Sequence, residues 1–195
     1  MKRKLLVLAL VLSAGIGVFW VAKKVNLNTR YEVGQAVDSL HHIKVYYNGA
    51  VDHVGDRARS PDGYNIGLQY QCVEFVKRYY YLHYHHKMPN SYGHAKEFFN
   101  KSLLDGSYNA DRGLIQYANP SRQKPQEGDL LVFSGTSFNP YGHVAIVSYV
   151  GVDWVEIIQQ NPGPFSSSRD TVLLHKGQRT WEIKEKRILG WLRKE

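Results

Sequence analysis

The hydrophobic positions of the chain fall into three patterns. Residues 5–22 form one uncharged run of eighteen residues. Between residues 72 and 82 the apolar side chains recur every three or four positions, which predicts an amphipathic helix. Residues 130–133, 143–150 and 154–161 are short runs rich in valine, isoleucine and leucine, and they predict buried strands. A helix followed by strands over a chain of this length predicts a single α+β domain.

The predicted helix begins at the only cysteine of the chain, Cys72. Its core-facing positions are Cys72, Phe75, Val76, Tyr79 and Leu82. Glu74 and Arg78 form an i,i+4 pair that the same spacing assigns to the outer face. A lone cysteine is either a buried apolar residue or a reactive thiol. The unpaired N–H groups and partial positive charge at a helix start lower the pKa of a thiol, which favours the reactive thiol.

A thiol nucleophile needs a base, and one of the nine histidines is suitably placed for that role. His143 opens the strand predicted at 143–150 and follows Gly142, so it can face a cleft while the rest of the strand builds the core. In a Cys–His hydrolase the imidazole takes the thiol proton, and a third polar group holds the ring.

The third polar group is expected on the next strand, which runs antiparallel to the strand of His143. A three-residue loop between the two strands puts Asn161 opposite His143, with Gln159 on the same face. A two-residue loop brings Gln160 or Pro162 opposite His143 instead. Either register directs the polar triplet at the end of this strand toward the histidine. The alternative is that these polar residues only end the strand before a loop.

Four motifs of the chain occur in a characteristic order: Gln71-Cys72-Val73-Glu74-Phe75, Gly142-His143-Val144-Ala145, Gln159-Gln160-Asn161 and Ile188-Leu189-Gly190-Trp191. Over residues 40–195 they resemble the CHAP family of cysteine, histidine-dependent amidohydrolases and peptidases. In particular, they resemble the amidase domain of glutathionylspermidine synthetase/amidase. The resemblance implies a papain-like cysteine amidase fold, with the nucleophile at a helix N-terminus packed on an antiparallel sheet that carries the histidine.

The resemblance assigns roles to single residues. Cys72 is the nucleophile, His143 is base and then acid, and Asn161 or Gln159 orients the ring of His143. The similar amidases have a glutamate where this chain has Gln159, and an amide can orient the ring but cannot stabilise it by charge. The backbone N–H of Cys72 and the side chain of Gln71 are candidate donors to the oxyanion, although Gln71 is also placed to cap the helix.

The first 25 residues have the pattern of a targeting segment. Lys2, Arg3 and Lys4 precede the apolar run and Lys23 and Lys24 follow it, which is typical of a signal sequence. No small-x-small cleavage site follows the run, so we expect an uncleaved single-pass anchor with the catalytic domain outside the cytoplasm. Cleavage would instead give a secreted or periplasmic protein. We expect residues 1–25 to be the signal segment, 26–40 a linker and 41–195 the amidase domain.

Charge and composition exclude several function classes. The formal net charge is +8, but five of the 25 lysines and arginines flank the apolar run, so the remainder is too weakly basic to predict nucleic-acid binding. His83, His85 and His86 lie close in sequence without a cysteine or acidic neighbour, so we expect no metal site there. No glycine-rich phosphate loop is present. We therefore expect an enzyme without a cofactor, and we expect Asp129, beside a glycine turn, to be structural.

Three functions stay open at this point. The expected location outside the cytoplasm favours hydrolysis of the peptide part of peptidoglycan. The motif match favours a glutathione–polyamine conjugate such as glutathionylspermidine. The glutamine at position 159 favours a third possibility, a CHAP-like binding module with impaired catalysis.

Overall fold

The computed structural model describes residues 2–22, 24–50 and 53–195. Within these residues the α-helices are α1 (Lys2–Ala22) and α2 (Cys72–His83), and a short 3-10 helix spans Ala95–Phe98. The strands are β1 (Ala36–Leu40), β2 (Ile43–Tyr46), β3 (Arg57–Arg59), β4 (Asn65–Leu68), β5 (Ser107–Asn109), β6 (Leu114–Ala118), β7 (Leu130–Phe133), β8 (His143–Val150), β9 (Trp154–Ile158), β10 (Arg169–Lys176), β11 (Trp181–Ile183) and β12 (Ile188–Arg193). The α+β class predicted from the sequence is confirmed.

A large antiparallel sheet forms the centre of the molecule. Its described strands run in the order β11-β10-β9-β8-β7-β12-β6-β5, and the hairpins β1-β2 and β3-β4 form separate two-stranded sheets. The inner strands β7 and β8 are apolar at successive positions because both faces of the sheet are covered. On one face Val144 and Ile146 pack beneath α2, and on the other Ala145 and Val147 join a second apolar cluster.

Helix α2 packs on the sheet through most of the residues predicted for its inner face. Phe75, Val76 and Tyr79 are fully buried there. Leu82 was predicted to face the core but is 50% exposed, because Tyr79 and Tyr80 already fill the core at that end of the helix. The helix positions Cys72, at its first residue, against the beginning of β8.

The turn between β8 and β9 sets the register near the predicted site. Gly151 N–H donates to Trp154 O at 2.9 Å, so the turn contains two residues and not three. A β-bulge between Val147 and Tyr149 then shifts the register by one residue, and beyond it Val147 pairs with Ile157. The three-residue loop is therefore wrong, but the bulge restores at the far end of the strands the register which that loop implied.

The segment before the sheet is more ordered than a linker. Strand β1 lies within the stretch predicted as linker 26–40 and pairs with β2. The side chain of Asn26 accepts a hydrogen bond from the hydroxyl of Tyr47 at 2.8 Å, and Asn28 donates to the carbonyl of Pro164 at 2.8 Å. Residues 26–40 therefore contact the domain that was predicted to begin at residue 41.

The predicted signal segment is helical from Lys2 to Ala22. The uncharged run at 5–22 lies within α1. Among the described residues, no helix combines the length and the apolar character needed to cross a bilayer. Residues 1 and 23 of the predicted segment lie outside the described part of the chain. The membrane anchor, and the membrane location that it implies, stay predictions.

Candidate active site

The thiol of Cys72 lies where the start of α2 meets the start of β8. Its residue is only 9% exposed, and the backbone amides of Val73 and Val144 are close enough to lower the pKa of the thiol. Val144 directly follows His143 in β8. The fold therefore brings the candidate nucleophile beside the backbone of the candidate base.

Burial dominates the acidity of this thiol. It raises the pKa of Cys72 to about 11, even though the amide groups of Val144 and Val73 act in the opposite direction. The sequence-based expectation of a lowered pKa at the helix start is therefore wrong. Removal from water destabilises the thiolate by more than the few N–H groups at the helix start stabilise it.

The imidazole of His143 is held by Gln159. Nε2 of His143 lies 2.9 Å from Oε1 of Gln159. An amide oxygen only accepts hydrogen bonds, so Nε2 carries the proton and Nδ1 keeps a free lone pair. The amide nitrogen of Gln159 donates to the carbonyl of Ser167 at 3.5 Å, and that contact agrees with this orientation of the amide. The geometry leaves Nδ1 of His143 as the basic atom.

The partly exposed His143 is also neutral at pH 7. Burial lowers its pKa to about 4, the hydrogen bond that its ring donates to Gln159 acts against this shift, and the positive charge of Arg187 adds to it. Together with the raised pKa of Cys72, this gives a neutral thiol and a neutral imidazole in the free protein. No hydrogen bond joins the sulfur to the ring among the described residues.

The three residues of the polar triplet have separate partners. Gln159 lies at His143, as one of the two predicted alternatives required. Asn161 does not bond to His143, and its Nδ2 donates instead to Oε1 of Gln71 at 3.0 Å. The prediction that Asn161 orients the imidazole is therefore not supported by the hydrogen bonds of the site. Its contact is with the candidate oxyanion donor.

The middle residue of the triplet, Gln160, has a role that sequence reasoning missed. It is fully buried, and its Oε1 accepts from the backbone N–H of Tyr46 at 2.8 Å. Its Nε2 donates to the carbonyl of Gln71 at 3.0 Å and to Glu74 at 2.8 Å. Glu74 is buried and pairs with the partly buried Arg78 at 2.5 Å, so the pair does not lie on an outer face as predicted. Gln160 thereby ties the start of the nucleophile helix to the end of β9.

The side chain of Gln71 bonds to residues outside the helix that it precedes. It makes no capping hydrogen bond to α2, which excludes the capping alternative. Its Nε2 donates to the carbonyl of His53 at 2.6 Å, and its Oε1 accepts from Asn161. An amide NH2 group has two N–H bonds, so one donor remains in addition to the one used by His53. The backbone N–H of Cys72 lies beside its own sulfur and is the second candidate donor.

Other polar residues singled out in the sequence have structural partners. Asp129 is 1% exposed and pairs with Arg193 at 2.7 Å. The ring of His83 stacks on that of His41 at 4.3 Å, and Nε2 of His86 bonds to a backbone carbonyl at 2.8 Å. Within the described residues, no group of three or more His, Cys, Asp or Glu is arranged to hold a metal ion.

The chain is similar to known proteins over the part that contains these residues. The family model described as CHAP domain matches residues 61–161, which is more than half of the chain. Trypanothione synthetase of Crithidia fasciculata is 31% identical over 121 residues, which cover 62% of this chain and 18% of that protein. Bifunctional glutathionylspermidine synthetase/amidase of Escherichia coli K12 is 34% identical over 98 residues, which cover 49% of this chain and 16% of that protein. The chain thus spans less than a fifth of the length of these curated relatives.

Similarity to solved structures is weaker. The crystal structure of Ly7917 with the hydrolyzing product of MDP is 22% identical, with a TM-score of 0.28, and the match covers 48% of this chain and 39% of that chain. The crystal structure of Ly7917 alone gives 16% identity and a TM-score of 0.31, with 63% of this chain and 53% of that chain covered.

Proposed function

Since the chain belongs to the CHAP domain family, whose model matches residues 61–161, we propose that it is a thiol-dependent amidohydrolase with a papain-like catalytic arrangement. One observation carries this proposal. The buried thiol of Cys72 lies near the backbone amide of Val144, the residue after His143, and the tautomer of His143 is set by Gln159. A nucleophile, a base with a free lone pair and a residue that orients the base are the parts that covalent amide hydrolysis requires.

The proposed reaction begins with the sulfur of Cys72 attacking the amide carbonyl while its proton passes to Nδ1 of His143. The N–H groups of Gln71 and Cys72 stabilise the oxyanion of the tetrahedral intermediate. His143 then gives its proton to the departing amine, which leaves a thioester on Cys72. Water attacks the thioester with His143 as base, releasing a carboxylic acid and restoring the thiol.

We place the substrate in the peptide part of peptidoglycan. The support is the predicted single-pass anchor, which would hold the catalytic domain outside the cytoplasm, where this polymer is found. If the segment is cleaved, the protein is secreted or periplasmic and meets the same polymer. The second candidate is a glutathione–polyamine conjugate, which the 34% identity to bifunctional glutathionylspermidine synthetase/amidase favours.

The third candidate is a binding module with impaired catalysis. It is motivated by the amide of Gln159, which lacks the charge of the glutamate in the similar amidases. The bond of 2.9 Å between Gln159 and His143 argues against it, because a ring held in one tautomer is prepared to accept a proton.

The test is hydrolysis by the purified full-length protein, with Cys72→Ser as its matched control. Purified peptidoglycan and glutathionylspermidine are incubated separately, and newly formed amines are quantified by mass spectrometry. We expect release from peptidoglycan that the control abolishes. Release only from glutathionylspermidine would support the second candidate. Binding to peptidoglycan without release of any amine would support the binding module.

A further inference from the structure

Three strand ends meet at the edge of the sheet that holds His143. Phe133, the last residue of β7, pairs directly with both His143 of β8 and Ile188 of β12. The ring of Phe133 lies 5.7 Å from the ring of His143. The guanidinium carbon of Arg187 lies 5.5 Å from the centre of the same Phe133 ring. His143 and Arg187 are therefore about two strand spacings, or roughly 10 Å, apart.

The terminal nitrogens of the Arg187 guanidinium are accessible to a ligand. Its Nε donates to Glu185 at 3.2 Å, and its side chain is 49% exposed. In the described part of the chain, neither of its terminal nitrogens donates to a protein acceptor. The paired N–H groups of such a fork match the two oxygens of a carboxylate. The contact with the face of Phe133 orients the guanidinium.

This edge of the sheet also carries a second cation. Lys96 packs against Gly142, the neighbour of His143, and is exposed. The carboxylate of Glu185 is itself partly exposed, at 34%, and accepts from the backbone N–H and from Nε of Arg187, so it leaves the terminal nitrogens of the guanidinium accessible. The surroundings of the base therefore suit a negatively charged ligand better than a positively charged one.

We propose that Arg187 is a specificity-determining residue that binds a carboxylate of the substrate, roughly 10 Å from the scissile amide. The inference rests on the proposed function and names its substrate class. An extended peptide advances about 3.3–3.6 Å per residue, so the carboxylate lies about three residues from the bond that is cleaved. A peptide with a free carboxylate about three residues from its scissile amide fits this position.

The experiment compares two forms of one substrate. Soluble muropeptides are prepared from peptidoglycan, and half are treated with carbodiimide and ammonia so that their carboxylates become amides. The full-length protein, its Arg187→Gln variant and its Lys186→Gln variant are assayed for kcat/KM on both forms. Lys186 is the matched control, because it is the adjacent exposed cation.

We expect the unmodified protein to prefer the native muropeptides by about two- to fivefold, the value of an ion pair at a half-exposed position. Arg187→Gln should remove this preference by losing activity on the native form alone, and Lys186→Gln should keep it. An equal loss on both forms, or a preference that survives in Arg187→Gln, would overturn the proposal.

A second readout separates this inference from the proposed function. Hydrolysis of neither form would refute the proposed peptidoglycan substrate, but it would not decide the role of Arg187. Protection of Cys72 from iodoacetamide by native and amidated muropeptides measures the same preference without hydrolysis. Protection that is equal for the two forms in the unmodified protein would overturn the role assigned to Arg187.

Discussion

Replacing Gln159 by glutamate changes one atom at the contact that holds His143. The amide oxygen that accepts from Nε2 of His143 at 2.9 Å becomes a carboxylate oxygen. The amide nitrogen, which donates to Ser167 at 3.5 Å, becomes the second carboxylate oxygen. That lost bond is long and therefore weak. The variant thus adds a negative charge to the imidazole with little other change in shape.

The size of the effect follows from the hydrogen bond. A bond between neutral groups contributes about 0.5–1.5 kcal/mol and one to a charged group about 1.5–3 kcal/mol. A difference of about 1.4 kcal/mol corresponds to about one pKa unit. We expect the pKa of His143, which is about 4 with Gln159, to rise to about 5 with glutamate. The new carboxylate can stay ionised, because a cavity of about 30 Å³ beside position 159 has room for a water.

The consequence for activity has a definite sign. His143 acts as a base only when it is neutral, so activity is lost as the pH falls through its pKa. With the variant this loss should begin about one pH unit higher. At pH 7 the ring is still neutral, so activity there should be preserved or raised.

The assay is kcat/KM against pH for the unmodified protein and Gln159→Glu, together with an NMR titration of the His143 ring. Gln178→Glu, at an exposed position in the turn between β10 and β11, is the control for added charge. An unchanged acid limb would refute the reasoning, because it would mean that Gln159 does not control the base. A large loss at pH 7 would mean that position 159 does not tolerate charge.

Four further predictions follow from the same site. Cys72→Ser should abolish hydrolysis and leave the melting temperature nearly unchanged, since the swap is almost isosteric; comparable activity would remove Cys72 as nucleophile. Alkylation of Cys72 by iodoacetamide should rise about tenfold per pH unit between about pH 6 and 9, because burial raises its pKa to about 11; a plateau below pH 6 would indicate a thiolate–imidazolium pair. Asn161→Ala should lower kcat about tenfold, because it removes the 3.0 Å hydrogen bond that holds the amide of Gln71. It should not move the acid limb of the pH profile, which His143 sets; a shifted acid limb would mean that Asn161 orients His143. The protein should stay in membranes after a carbonate wash and be digested by protease added to spheroplasts; a cytosolic, protected protein would shift the substrate to a glutathione–polyamine conjugate.

The candidate site residues could be recognised in the sequence because the patterns that mark them are local. A lone cysteine at the start of a 3.6-residue periodicity and a histidine at the start of an apolar strand can each be recognised within about ten residues. The buried strands β7 and β8 were predicted for the same reason. The choice between Gln159 and Asn161 could not be made, because residues two apart share one face of a strand; Asn161 leaves the strand with a φ of 56° and bonds to Gln71 instead.

The tertiary structure decided what depends on burial and on contacts between distant segments. The pKa of Cys72 rises because strands far along the chain exclude water from it, which outweighs the helix start that the sequence displays. Glu74 is buried because Gln160, 86 residues away, supplies a hydrogen bond. Arg187 has no motif of its own and approaches His143 only through Phe133 on the strand between them. Periodicity therefore determined the elements and the candidate Cys72–His143 pair, whereas register and desolvation, which are properties of the assembled sheet, decided the hydrogen-bond partners and the directions of the pKa shifts.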